Sequence, residues 1–232
     1  MHDFLQLTEH TLHNAALAFM ALVYTIRIFW FLRFKAGRER QGPTGTGSVM
    51  PTRSIVYSWA NIAMPWVMES TRTKFLLYLQ FVIFHLGVTA AILMLFIIPH
   101  LPGVLESQMI VLAFQAITGA ACAVGLIRMV RRIGSPHMRA ISSPDDYFSL
   151  VLLTVWLLSA ALAAPYGALE IENLAGSGMG LRLAFFTTAN FFLVYVPFSK
   201  ISHYLYYPFT RYYFGKTMGY RGVYPVRHST TD

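Results

Sequence analysis

Residues Phe75 to His100 read FLLYLQFVIFHLGVTAAILMLFIIPH. The stretch is almost wholly apolar. As a helix it is long enough to cross the ~30 Å hydrocarbon core of a bilayer. One ionisable side chain, His85, stands well inside it, in the run Phe84-His85-Leu86-Gly87. A polar group at that depth is costly unless it is bonded or ligated, so the histidine calls for a function.

The rest of the chain has the same character. Of 232 residues, 56% are hydrophobic and 12% charged, about half the charged fraction of a soluble domain. Apolar runs recur at about 12–34, 75–99, 108–129, 147–169 and 181–207, followed by an aromatic and basic tail, 208–232. This pattern predicts an all-α integral membrane protein, a five-transmembrane-helix bundle forming a single membrane domain over 1–232. Residues 59–68 are apolar but short and contain Pro65, which suits an interfacial helix, and Gly37 to Pro51 reads as irregular. In the third span Gly119, Ala120, Ala121, Ala123 and Gly125 allow close helix approach. No internal repeat of the kind transporters carry is visible.

Arginine and lysine set the orientation. Arg38, Arg40, Arg53, Arg72 and Lys74 fall in the first loop, Arg128, Arg131, Arg132 and Arg139 in the third, and Arg211, Lys216, Arg221 and Arg227 in the tail. The N-terminal stretch and the second loop have none, and the fourth has only Arg182 at its end. The N-terminus is therefore expected outside and the C-terminus in the cytoplasm, which agrees with an odd number of spans. The net charge of +8 is the mark of basic loops kept inside and not of nucleic-acid binding. With one cysteine, Cys122, the chain has no intrachain disulfide, cysteine-ligated iron–sulfur cluster or CxxCH haem attachment. The first span lacks a basic leader and a small-residue cleavage site, so it reads as retained.

Only two of the eight histidines, His85 and His203, fall at membrane depth in this reading. His85 lies 11 residues from Lys74 and His203 lies 8 from Arg211. At 1.5 Å per residue these are depths of ~16 Å and ~12 Å from the same face. Histidines at matching depth on antiparallel helices suit the two axial positions of a haem. The other reading is that each bonds a neighbouring helix. His13 and His100 stand as a possible outer pair. Arg27 either snorkels to the inner interface or pairs with a haem propionate, and Lys200, one turn from His203, has the same two options. Tyr204, Tyr206, Tyr207, Tyr212 and Tyr213 form an aromatic belt or a docking surface. No Asp or Glu lies within these spans, which weighs against a transporter.

Three runs then carry a resemblance. FHLG at Phe84 to Gly87 resembles the FHIG of the membrane cytochrome b (gamma) subunit of respiratory nitrate reductase. Ser135-Pro136-His137-Met138-Arg139-Ala140 resembles that family's SPRVRA, and Val196 to His203, VPFSKISH, resembles its FPFSRLIH. The similarity runs in order along essentially the whole chain. The ending Arg211 to Lys216, with Gly219 to Gly222, is similar to the short cytochrome b subunits of sulfate-reducer transmembrane complexes. Those are the high-molecular-weight cytochrome c, type II cytochrome c3 and sulfite reductase-linked complexes.

The resemblance implies a multi-pass protein of a bacterial inner membrane, working in anaerobic respiration with haem b held by His85 and His203. It implies menaquinone as a redox partner, in a hetero-oligomer. The other members would be a cytoplasmic heterodisulfide reductase-like iron–sulfur subunit, further membrane subunits and a periplasmic multihaem cytochrome c. The family's outer haem has its ligands where this chain has Leu95 and Phe185. The resemblance therefore implies one haem, unless His13 or His100 supplies other ligands, and it removes the basis for a quinol site of the nitrate reductase type. Two functions follow: an electron-carrying subunit of an oxidoreductase that is not self-sufficient, or a haem-free anchor orienting redox partners.

Overall fold

The computed structural model describes residues 1–34, 37, 51–66 and 69–221. These are helical throughout their regular structure, with no strand among them. In chain order the helices are α1 (His2–Arg33), α2 (Pro51–Ala60), α3 (Glu69–Thr73), α4 (Phe75–His100), α5 (Gln108–Gly134), α6 (Pro136–Ala140), α7 (Pro144–Ala163), α8 (Gly176–Tyr195) and α9 (His203–Tyr220). Five are long and apolar enough to cross a membrane: α1, α4, α5, α7 with its extension to Tyr166, and α8 with its extension to Phe198.

The chain divides into two compact units. The first comprises Met1–Val23 and Leu79–Ile201, the second Tyr24–Tyr78 and Ser202–Asp232. In the first, the small residues of α4 and α5 act as notches. A methyl added at Gly87 would sit 2.1 Å from the Ala121 Cβ, and one at Gly125 would sit 2.4 Å from the Thr154 hydroxyl. Helix α7 packs on both α5 and α8. At its core Trp156 stacks on Phe185, with ring centroids 6.1 Å apart, and Phe186 meets Phe185 edge-on. Helix α7 starts at a strong signal: Pro144 at N1, Asp145 and Asp146 in the first turn, and a capping box between Ser143 and Asp146. Helix α5 ends with Arg131 and Arg132 in its last turn, where the helix dipole favours cations.

In the second unit α2 packs on α9. The face α2 turns inward is polar and small: Ser54 and Ser58 are fully buried. Gly215 of α9 meets it so closely that an added methyl would lie 2.7 Å from the Ile55 Cα. The Trp59 indole donates to the Pro208 carbonyl (2.9 Å), and the Tyr207 hydroxyl donates to the Trp59 carbonyl (3.1 Å). The apolar side chains Val56, Ile62 and Trp66 point outward.

Three expectations change. The first helix begins at His2, not near residue 12, and its turn Leu7–Leu12 is π-helical. The polar opening residues are part of it, and Glu9 among them is neutralised by Arg182. The fifth span does not run through to residue 207. Pro197 lacks the N–H that would continue the ladder. Helix α8 ends at Tyr195, short 3₁₀ turns cover Val196–Phe198 and Lys200–Ser202, and α9 starts afresh at His203. The helix near residues 59–68 is centred earlier, at Pro51–Ala60, followed by a 3₁₀ turn at Asn61–Ala63. Residues 67–68, most of Gly37 to Pro51 and the tail beyond 221 lie outside the described residues. Up to Tyr220 the tail is helical.

Candidate functional site

The two histidines expected to ligate haem lie in different units, His85 in the first and His203 in the second. Both are exposed. His85 Nδ1 lies 2.7 Å from the Phe81 carbonyl one turn back, and the Phe81 ring lies tilted against the imidazole, centroids 4.1 Å apart. A carbonyl only accepts, so Nδ1 carries the proton in this contact. Metal-ligating histidines commonly show this arrangement, the second nitrogen fixing tautomer and ring orientation. His203 opens α9, with the Tyr204 ring edge-on at 6.5 Å. Arg27 is half-buried on α1, in the second unit.

Lys200 belongs to the first unit, in a polar cluster at the start of α7. Its ammonium lies 2.9 Å from Asp146 Oδ2 and 2.8 Å from the Ser143 hydroxyl, and its backbone N–H donates to Asp145 (3.2 Å). Arg132 also approaches Asp146, at 3.7 Å, and Tyr195 donates to Asp145. Lys200 thus has a carboxylate of its own chain as partner, although the side chain stays 60% exposed.

A second polar cluster, spread over α1 and α8, is buried, and the sequence reading missed it. Arg182 is 3% exposed and Glu9 1%. The guanidinium forks onto the carboxylate, with Nε to Oε2 at 2.8 Å, and a further N–H donates to the Leu169 carbonyl at 2.6 Å. A turn along α1 from Glu9, His13 is 1% exposed, the one buried histidine among the described residues. Its Nδ1 lies 3.1 Å from Asn190 Oδ1, while Asn190 Nδ2 donates to the Thr8 carbonyl at 2.8 Å. Phe96 and Phe186 face the imidazole edge-on. The π-helical turn that supplies Thr8 and Glu9 is of a kind often found at functional sites. The one signal in the sequence was Arg182 itself, since a lone arginine in an apolar helix needs a counter-charge.

Leu95 and Phe185 are core residues, 3% and 0% exposed. No group of three or more His, Cys, Asp or Glu side chains that could hold a metal ion occurs among the described residues. Comparison with protein-family models, curated proteins and solved structures finds no match to this chain.

Proposed function

We propose that this chain is the haem b membrane subunit of a respiratory redox complex, passing single electrons between a membrane quinone pool and a cytoplasmic iron–sulfur subunit. The observation that carries the reading is His85: a histidine in the most apolar helix, with Nδ1 committed to the Phe81 carbonyl, the contact that fixes ring orientation in metal-ligating histidines. His85 and His203 would supply the two axial imidazoles. A bound b haem supplies reversible one-electron chemistry, and bis-histidine ligation leaves no open iron position for substrate. Arg27 is the cation proposed for a propionate. Lys200 serves better as the partner of Asp146, holding the start of α7. Five spans favour a multi-pass place in a bacterial inner membrane, with the basic ends on the cytoplasmic side.

The test is the reduced-minus-oxidised absorption spectrum of the intact complex. A b-type α band that disappears in His85→Ala and in His203→Ala is expected, with one haem per chain by pyridine haemochrome. No band at all in the wild-type complex sinks the electron carrier in favour of the anchor.

A further inference from the structure

The buried cluster around His13 has a feature that its structural role does not use. His13 Nε2 is buried and has no hydrogen-bond partner among the described residues. The tautomer is set from outside the ring. Because Asn190 Nδ2 donates to the Thr8 carbonyl, Asn190 presents its oxygen to His13, and Nδ1 must hold the proton. Nε2 is therefore a bare acceptor, and buried acceptors are rarely left unmatched. The nearby charges ask for nothing further, since Glu9 and Arg182 satisfy each other. What fits is a neutral O–H donor on a flat apolar body, between aromatic walls. Phe186 is fully buried, whereas Phe96 is 43% exposed on the surface of α4.

We propose that His13 Nε2 accepts a hydrogen bond from the hydroxyl of a membrane-borne hydroquinone entering past Phe96, so that the site prefers the reduced ring to the oxidised one. The inference rests on the redox reading above for its choice of ligand. A quinone carbonyl would set lone pair against lone pair, and this gives the site its selectivity.

The probes are menadiol and menadione, titrated anaerobically onto the full chain in lipid nanodiscs. Menadiol is expected to bind about tenfold more tightly, the worth of one buried hydrogen bond. His13→Phe brings the ratio to about one. Asn190→Leu removes the acceptor that fixes the tautomer and erodes the preference. Should these variants not fold, the imidazole ¹⁵N shifts of the wild type decide: an Nδ1–H tautomer whose Nε2 signal moves with menadiol but not menadione is expected. Equal affinity for both rings, or a preference that survives His13→Phe, overturns the proposal. So does a haem lost on His13→Phe, which would make Nε2 an iron ligand. A menadiol preference in a chain with no b-type band upholds the site and removes the haem assignment alone.

Discussion

Both units use small residues for close helix approach, but they fill the rest of their seams differently. The first buries large aromatic and aliphatic side chains, Phe185, Phe186, Met94 and Leu157 among them, and encloses a charge pair whose members cancel. The second puts serines and glycines into its seam, and hydrogen-bonds Trp59 and Tyr207 to backbone carbonyls across it. It leaves tryptophan and isoleucine facing out. In lipid the hydrophobic effect does not drive helices together, so close backbone approach and polar bonds are the natural adhesive. The first unit adds to this a neutralised ion pair, which fixes which helices meet.

The largest effect should come from breaking that pair. Glu9→Gln leaves the Arg182 guanidinium buried without its counter-charge, and about 3–5 kcal/mol of stability is expected to go. The double variant Glu9→Met with Arg182→Met recovers most of it. Chemical denaturation in detergent measures both, and equal losses in the single and double variants would mean the pair is not coupled. Next is Gly215→Ala in the second unit. The added methyl meets the Ile55 backbone, which cannot step aside, and overpacking of this kind costs about 1–3 kcal/mol. Faster proteolysis within α2 is the readout, and an unchanged cleavage rate would show the seam to be looser than described. Trp59→Phe removes one indole bond and should cost about 1 kcal/mol, seen as faster amide exchange in α2. Lys200→Met should cost least, under about 1 kcal/mol, because the ammonium is mostly exposed and its ion pair is screened. A larger loss in a haem-loaded sample than in a haem-free one would restore Lys200 to the cofactor.

The long spans were legible because hydropathy reads length. Expected at 75–99 and 108–129, the helices run Phe75–His100 and Gln108–Gly134. Where the reading failed, a polar residue was judged alone. The opening that holds Glu9 was placed outside the first span, and Arg182 at the end of a loop. Each is costly by itself in an apolar helix, but together they are admissible. His13 was placed with the outer residues for the same cause, and its burial depends on Asn190, a residue 177 positions away. Pro197 was visible but read as tolerated within a span. What decides is whether the chain resumes on the same axis, and here two 3₁₀ turns intervene before His203. The haem reading itself comes from the histidines and the resemblance. The structure adds the committed nitrogen of His85, a detail that hydropathy does not carry.

The π-helical turn at Leu7–Leu12 also works as a phase setting. An α-helix advances each residue by ~100° around its axis, and a wide turn shifts the residues on one side of it relative to the other. With that turn in place, Glu9 and His13 are both buried, while Leu7 and Leu12 on either side stay exposed. Removing one residue from the turn would let the helix tighten and rotate its first two turns by ~100° relative to the rest. The carboxylate and the imidazole could then no longer both reach their partners on α8. The length of six residues, as well as the carboxylate among them, keeps the charge and the base in step.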